Sequence, residues 1–164
     1  MVAKPMTPEQ AMELLEAAPR RIEAAVRGLP AGLLRVRPAE GEWSLNEVLA
    51  HLRACADVRG GAIREILAAP HPVIRAMDPR TWMAKTDYPD LDFDVSFAAF
   101  RKQREELLAA LAELPPEGWV RAATVKGAGK PLERTVRDYA EWVAIHERPH
   151  LKQIERTARA LRIQ

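Results

Sequence analysis

The chain has 164 residues, a length that fits one ordinary domain and allows a core to form without disulfides or a structural metal. Hydrophobic residues make up 48% and charged residues 29%, and 25 basic side chains against 23 acidic ones leave a net charge of +2. This is the composition of a globular protein, and the interleaved charges predict no nucleic-acid partner. The single cysteine, Cys55, excludes an intramolecular disulfide and a cysteine-based zinc finger.

No targeting or membrane segment is recognisable in the chain. The stretch 1–10 lacks the apolar core of a signal peptide, and no region approaches the roughly 18 consecutive apolar residues of a membrane span. Together with the lone thiol, these features predict a cytoplasmic protein with no membrane partner. No interdomain linker is recognisable, which predicts a single domain over residues 1–164.

The first predicted helix begins at Thr7, whose side chain can cap it, with Pro8 at the first helical position. It runs to Arg27, and Gly28 supplies the stop. Pro19 lies inside this run. Because proline lacks the amide hydrogen that a helix interior uses, Pro19 predicts a kink or a break.

The second predicted helix has the clearest start in the sequence. Ser44 and Glu47 form a capping box, in which each side chain can bond the other residue's backbone amide. Apolar residues then recur on one broad face as far as Ala69, and Pro70 ends the helix. The pattern therefore predicts an unbroken rod about 37 Å long.

Two further helices are predicted in the second half of the chain. One follows Asp94 as its cap and stops at Pro115, and the other covers roughly 132–161. Residues 70–93 form a connection long enough to return along a bundle, and 118–131 form a loop. Because no segment alternates convincingly with a period of two, the predicted fold class is all-α: a four-helix bundle in up-down-down-up order.

The four histidines are the most informative side chains. His146 and His150 are spaced i, i+4, so they lie one above the other on a helix, where two imidazoles can hold one metal ion. His51 lies at the edge of the apolar face of the second helix and can face the fourth helix. His71 lies in a proline-flanked loop and is predicted to be incidental. The pattern leaves open that each histidine only makes hydrogen bonds.

Residues 146–150 also match the HExxH motif of zinc proteases. Pro149 disfavours that interpretation, because it removes a helical hydrogen bond to the Ile145 carbonyl in the turn that must hold both ligands. Only 14 residues follow His150, which leaves little room for a third ligand downstream. A protease is therefore not the favoured function.

Three segments carry a family resemblance. Residues 41–52 contain a Trp-Ser pair followed by His51, residues 146–154 contain a His-x3-His pair that continues into Leu-x-Gln-Ile, and a Pro-Arg-Arg-Ile run begins at Pro19. In order and spacing, these segments resemble the second helix, the last helix and the first helix of the DinB-like (YfiT-like) metalloenzyme family. The resemblance extends over nearly the whole chain.

The resemblance implies that His51, His146 and His150 hold a divalent transition metal (Zn, Ni, Mn or Fe) and that the bundle has the up-down-down-up order. It also implies a homodimer that acts on a small molecule, since characterised members of the family include thiol-dependent transferases, isomerases and hydrolases. A low-molecular-weight thiol, such as bacillithiol or mycothiol, is then a candidate cosubstrate.

Glu147 is the remaining candidate for catalysis, because it adjoins His146 and its helical angle points inward. It can orient a ligand, act as a general base, or serve as an occasional ligand. The alternative is a purely structural carboxylate, paired with Arg148 or with a neighbouring helix. The sequence leaves these roles open.

Two other groups of residues are assigned by position alone. Cys55, one turn after His51, is predicted to be a small core residue rather than a ligand. Trp82, Asp87 and Tyr88 are candidates to line a pocket over the metal. For the whole chain, the leading hypothesis is a metal-dependent transferase or hydrolase, and the alternatives are a non-catalytic bundle that binds a metal or small molecule and a dimerising helical module.

Overall fold

The computed structural model describes residues 4–164, so the first three residues of the predicted 1–164 domain and of the 1–10 stretch lie outside the described part. The α-helices are α1 (Pro8–Val26), α2 (Leu45–Cys55), α3 (Gly61–Ala68), α4 (Pro79–Ala84), α5 (Phe93–Ala112), α6 (Pro116–Trp119) and α7 (Val136–Leu161). The strands are β1 (Val73–Arg75), β2 (Ala122–Lys126) and β3 (Leu132–Thr135). A π-helical turn, Ala56–Gly60, joins α2 to α3, and 3-10 turns cover Ala31–Arg35 and Tyr88–Asp90.

The long helices pack as the apolar patterns predicted. α1 contacts α5 and α7, and α2 contacts the same two helices. Thr7 and Ser44 both form capping boxes, and Gly28 after α1 has a φ of +79°, a conformation that glycine adopts without strain. No helix within residues 4–164 is both long and apolar enough to cross a membrane.

Pro19 does not break the first helix, because α1 continues from Pro8 to Val26 through it. A proline leaves the carbonyl four residues earlier without its helical partner. That carbonyl belongs to Leu15, and it accepts a hydrogen bond of 2.8 Å from Nη1 of Arg104 on α5. A side chain from another helix thus replaces the missing backbone donor.

The second helix is not the unbroken rod that its apolar face predicted. A π-helical turn, Ala56–Gly60, interrupts it directly after Cys55, and Gly60 and Gly61 follow one another at its end. Glycine has low helix propensity, and a π turn adds a residue to the helical path. The added residue changes the direction in which the side chains of this turn point, and such turns are frequent at functional sites.

The all-α prediction is wrong in one respect, because a three-stranded sheet packs at the side of the helices. β1 pairs with β2 in parallel and β2 with β3 in antiparallel register, so a segment of the 70–93 connection joins a hairpin from the 118–131 loop. Strands of three to five residues are too short to display a clear period of two. Their partners are distant in sequence, so only the folded chain brings them together.

The sheet also corrects the predicted start of the fourth helix. Residues 132–135 form β3, and α7 begins at Val136 with Thr135 as its cap in a further capping box. α5 begins at Phe93 rather than after Asp94, with Asp92 at the cap position. Shifts of one to four residues are ordinary at helix ends, where propensity alone decides little.

The core consists of two apolar clusters with a polar layer between them. One cluster includes Leu15, Ile63, Leu107, Leu111 and Val143, and the other includes Ile22, Leu49, Phe100, Leu151 and Ile154. Along α7, the buried Glu147 and the half-buried His146 and His150 lie between the two sets, and along α5 the buried Arg104 does. The candidate site therefore lies at mid-height in the bundle.

Candidate metal centre

The structure brings the three predicted ligands together. His51 on α2 and His146 on α7 face each other with their Nε2 atoms 3.3 Å apart. The ring of His150 lies with its centroid 4.8 Å from that of His51 and 4.7 Å from that of His146. The i, i+4 spacing on α7 and the packing of α2 against α7 produce this arrangement.

The separation of the two Nε2 atoms suits a shared metal ion. Two nitrogen ligands at the usual distance of about 2.0–2.1 Å from a tetrahedral ion are about 3.3 Å apart. Nδ1 of His150 donates a 3.0 Å hydrogen bond to Oε1 of Gln153, which leaves its Nε2 without a proton and available as a ligand. The donor set of neutral imidazoles fits a borderline-soft divalent ion.

Cys55 is buried, as the sequence predicted for a core residue, and it also lies beside the histidines. Its Sγ lies 3.6 Å from Nε2 of His51. Ligand atoms of His51, Cys55 and His146 all lie within 4.8 Å of one another, so these three residues also form a group that could hold a metal ion. Since a sulfur and a nitrogen ligand of one tetrahedral ion are about 3.6 Å apart, Cys55 is within reach of the same ion.

Burial determines the protonation of two of the imidazoles. It lowers the pKa of His51 and of His146 from 6.5 to about 4, and the charge of His150 adds to the effect in both cases. The positive charges of Arg59 and Arg80 lower the pKa of His146 further. Both rings are therefore neutral near pH 7, which is the form that binds a metal.

These pKa values predict how the stability of the metal-free protein depends on pH. The unfolded chain takes up protons on these histidines near pH 6.5, whereas the folded chain does so only near pH 4. We therefore expect the free energy of unfolding to fall as the pH drops from about 6.5 to about 4, and to be insensitive to these groups above that range. Urea unfolding of chelator-treated protein across this range measures it.

The control for the pH prediction is a His51→Gln/His146→Gln variant, which should have a flatter profile between pH 6.5 and 4. Parallel profiles for the variant and the wild type would show that the two imidazoles are not responsible for the acid sensitivity.

The thiol of Cys55 is protonated unless something binds it. Burial raises its pKa to about 12, and the negative charge of Glu147 adds to the effect. A thiol in this state is a poor nucleophile, since the thiolate is the reactive form. Cys55 is therefore not expected to react as a nucleophile at neutral pH. It could still bind a metal ion, because a metal deprotonates the thiol that coordinates it.

Glu147 points inward, as its helical angle predicted, but both of its carboxylate oxygens are used by Arg104. Oε2 accepts a 3.1 Å hydrogen bond from Nη1 of Arg104, and Oε1 accepts one from Nη2. The two side chains are 3% and 2% exposed. This is the pairing with a neighbouring helix that the sequence left open.

Other candidates lie at different places. His71 is exposed on the edge of the small sheet, where Nε2 lies 2.8 Å from Oε2 of Glu133. Trp82 and Tyr88 both donate hydrogen bonds to Asp57 of the π turn, and Trp82 lines a cavity beside that turn. Asp87 is exposed.

Sequence reasoning missed Arg104, Trp142, Asp57 and Arg59. Arg104 interrupts an apolar face formed by Phe100 and Leu107, a signal that could have found it. Trp142 precedes His146 by four residues, and the two rings stack with centroids 4.6 Å apart. Asp57 and Arg59 had no comparable signal, because the π turn decides where their side chains point.

The sequence was compared with those of known protein families and curated proteins. Residues 14–154 match the family model of the DinB superfamily. The chain is also 28% identical over 145 residues to the uncharacterized protein YuaE of Bacillus subtilis, a match that covers 79% of this chain and 86% of YuaE.

Solved structures with similar folds were found at lower sequence identity. YfiT from Bacillus subtilis, described as a probable metal-dependent hydrolase with an unusual four-helix bundle topology, is 20% identical with a TM-score of 0.78, over 97% of this chain and 91% of YfiT. The mycothiol-dependent maleylpyruvate isomerase is 10% identical with a TM-score of 0.69, over 91% of this chain and 61% of the isomerase. At these identities the similarity concerns the fold.

Proposed function

The chain belongs to the DinB superfamily, and from that premise we propose that it is a metal-dependent enzyme acting on a small molecule, with the ion held by His51, His146 and His150. The observation that carries the proposal is the convergence of three imidazoles from two helices, with two Nε2 atoms 3.3 Å apart. Three protein ligands leave a position for water or substrate, as in catalytic rather than structural metal sites.

The fit of these residues to a metal rests on the Nε2 atoms of His51 and His146, which face each other at a distance that one ion can bridge. A metal bound through Nε2 leaves the ring hydrogen of His146 on Nδ1, and this buried atom has no hydrogen-bond partner among residues 4–164. Zn, Ni, Mn and Fe are all compatible with this donor set.

A divalent ion in this position would supply Lewis acidity, which promotes deprotonation of water or of a low-molecular-weight thiol. These two routes correspond to a hydrolase and to a thiol transferase, and both remain within the proposal. The probable metal-dependent hydrolase YfiT and the mycothiol-dependent isomerase, whose folds are similar, support one route each.

In this proposal, Glu147 holds α7 in place between His146 and His150 rather than acting as a general base. Its carboxylate is already bound by Arg104 through both oxygens, so neither oxygen is free to accept a proton from substrate. Because His51, His146 and His150 would be occupied as ligands, activation of the nucleophile would depend on the Lewis acidity that the ion supplies.

Cys55 is proposed as an accessory to the three histidines rather than as one of the essential ligands. Its Sγ is 3.6 Å from Nε2 of His51, but a fourth protein ligand would close the position that catalysis needs.

The metal content of purified, untagged protein tests the proposal. We expect about one metal ion per chain in the wild type and almost none in a His146→Ala/His150→Ala variant, because one remaining imidazole cannot chelate an ion. His71→Ala is the matched control, since it removes the fourth histidine and should retain the ion. Cys55→Ser should also retain it.

Equal metal content in the wild type and the double variant would contradict the proposed site. Loss of the ion in Cys55→Ser would instead favour the His51, Cys55 and His146 set. A bound ion without turnover of thiols, electrophiles or hydrolysable esters would favour the alternative, a non-catalytic metal-binding bundle. The absence of any bound metal would favour a dimerising helical module.

We infer that the four main helices run in the order up-down-down-up. Hydrogen bonds join the α1 region to the α7 region at three levels: Met6 with Arg137, Arg21 with Glu155, and Arg27 with Arg162. The partners follow the same order along both helices. α2 and its π turn meet α5 through Arg53 with Ser96 and Asp57 with Gln103, again in the same order. Both pairs support parallel helices.

We further propose that the chain is one domain over residues 1–164, that it forms a homodimer, and that it works in the cytoplasm. The two apolar clusters draw on the same helices, which supports a single domain. The family resemblance supports the dimer, and a lone buried thiol suits a reducing compartment. Light scattering at several protein concentrations tests the dimer.

A further inference from the structure

Two neighbouring cavities lie beside the candidate metal centre. One, of about 640 Å³, reaches His146 and is lined by residues of α7 and the π turn. The other, of about 840 Å³, lies between α3 and the small sheet. Both cavities share three lining residues, Arg59, Arg134 and Tyr139. A small molecule that approaches His146 through these cavities therefore passes Arg59.

Arg59 lies next to the candidate metal centre through one aromatic ring. Its guanidinium carbon is 4.1 Å from the centroid of the Trp142 ring, and Trp142 stacks on His146. Nε of Arg59 is buried and has no hydrogen-bond partner among residues 4–164. A buried cationic donor without a partner is unfavourable, so Arg59 is suited to bind an anion supplied by a ligand.

The carboxylates that line the two cavities are already used elsewhere. Asp57 accepts hydrogen bonds from Trp82 and Tyr88, and Asp78 accepts from two backbone amides at the start of α4. Asp138 accepts from the Thr135 amide in the capping box of α7, and Glu141 accepts from the Met6 amide. The remaining lining carboxylate, Glu65, is exposed on α3. Within residues 4–164, no carboxylate forms an ion pair with Arg59.

We propose that Arg59 binds the carboxylate of the substrate, and that the substrate of the metal centre is therefore a small organic acid with an apolar body. This inference rests on the proposed function for the identity of the substrate, but the binding of a carboxylate at Arg59 does not depend on a metal. A guanidinium that stacks on an aromatic ring with its face can form two parallel hydrogen bonds with a carboxylate through its edge.

Apolar side chains make the larger cavity suitable for the body of such an acid. Its walls include Ala62 of α3, Ile74 of β1 and Val125 of β2, and Ala62 and Ile74 are buried. Arg134 of β3 adds a second positive charge where the cavities meet. A cavity in which apolar walls lie beside charged groups can take a small molecule whose apolar body fills the space while the charged groups set its orientation.

Calorimetric titration with hexanoate tests the proposal in both chelator-treated and metal-loaded protein. We expect saturable binding at millimolar concentration by the wild type, and an affinity at least about tenfold lower in Arg59→Met, because a hydrogen-bonded charge pair is lost. Arg59→Lys keeps the charge without the fork and should fall between the two. Arg64→Met, which removes an exposed arginine of the same cavity, should bind like the wild type.

Comparison ligands separate the sources of affinity. Hexanamide should bind at least about tenfold more weakly than hexanoate, because it lacks the charge. Inorganic phosphate can pair with the same guanidinium but has no apolar body, so it should bind at least about tenfold more weakly than hexanoate. Phosphate that binds as tightly as hexanoate, equal binding in Arg59→Met, an equal loss in Arg64→Met, or no binding by the wild type would each overturn the proposal. If Arg59→Met lost its fold by circular dichroism, Arg59→Lys would decide in its place, with unchanged affinity counting against the proposal.

The outcome is separate from that of the metal experiment. If the purified, untreated wild type contained no metal but still bound hexanoate through Arg59, the carboxylate site would be supported and the metal-dependent function contradicted. A protein with one metal ion per chain but no Arg59-dependent binding of hexanoate would support the metal site and contradict the carboxylate site.

Discussion

Replacing Glu147 with alanine is expected to lower the free energy of unfolding by about 3–5 kcal/mol, the largest loss that we expect from a single substitution. Arg104 is 2% exposed and forms an ion pair with Glu147 through two hydrogen bonds. Without the carboxylate, the guanidinium charge would stay in the core with no compensating charge. Removal of one partner of a buried pair is costly for this reason, even where the pair itself adds little stability.

Arg104 also connects this pair to the first helix. Its Nη1 donates to the Leu15 carbonyl, which has no helical partner because Pro19 follows four residues later. The guanidinium therefore joins α1, α5 and α7 in the polar layer between the two apolar clusters. Arg104→Ala should be destabilising for the same reason, since it leaves both the carboxylate and this carbonyl unpaired.

A double variant and a surface control make the prediction specific. Arg104→Met/Glu147→Leu removes both charges and should recover most of the stability, with a remaining loss of about 1–3 kcal/mol from the unpaired Leu15 carbonyl. Arg148→Ala, next to Glu147 but exposed, should change stability by less than about 0.5 kcal/mol. Urea unfolding of the chelator-treated proteins measures all four. A loss below about 1 kcal/mol in Glu147→Ala would contradict the structural role of the pair.

Asp57→Ala is expected to have the second largest effect, a loss of about 3 kcal/mol. Its carboxylate accepts hydrogen bonds from Nε1 of Trp82 at 3.0 Å, from the Tyr88 hydroxyl at 2.6 Å, and from the Gln103 amide. Burial and the bond to Asp57 raise the pKa of Tyr88 to about 12, so this hydroxyl remains a donor at neutral pH. Alanine would leave three donors unpaired in partly buried positions.

The three donors belong to α4, the following 3-10 turn and α5, so Asp57 holds the 70–93 connection against the π turn. Asp57→Asn should lower the free energy of unfolding by less than Asp57→Ala does, because the amide oxygen of asparagine can still accept hydrogen bonds from these donors. Asp87→Ala is the control in the same connection, where the side chain is exposed, and should cost less than about 0.5 kcal/mol. Chemical unfolding measures the free energy of unfolding of each variant. Faster proteolysis within residues 77–91 would show that Asp57→Ala loosens this connection. Equal stability of Asp57→Ala and Asp87→Ala would contradict this role.

The helical part of the fold was predictable because its signals are local. The capping boxes at Thr7 and Ser44, the stop at Gly28 and the apolar faces each depend on residues within a few turns of one another. The small sheet was not predictable, because β1 and β2 are short and pair across about fifty residues. The π turn was not predictable either, since one residue added to the helical path hardly changes the local apolar pattern.

The candidate site divides in the same way. The spacing of His146 and His150 on one helix, and the resemblance that added His51, identified three histidines that lie together in the structure. The sequence left the role of Glu147 open, because nothing local connects it to Arg104, 43 residues earlier. Cys55 is buried, as the sequence predicted, and the structure adds that its sulfur lies 3.6 Å from Nε2 of His51.

The sequence by itself thus determined which side chains of α2 and α7 could meet around an ion, because helical spacing converts a sequence interval into a direction. Only the tertiary structure decided what surrounds them: Arg104 against Glu147, Trp142 on His146, and Arg59 at the shared wall of two cavities. Those contacts join residues on different elements, and their energies depend on burial and on distance. Of the one cysteine and four histidines in the chain, only helix packing brings Cys55, His51, His146 and His150 close enough together to form a candidate metal centre.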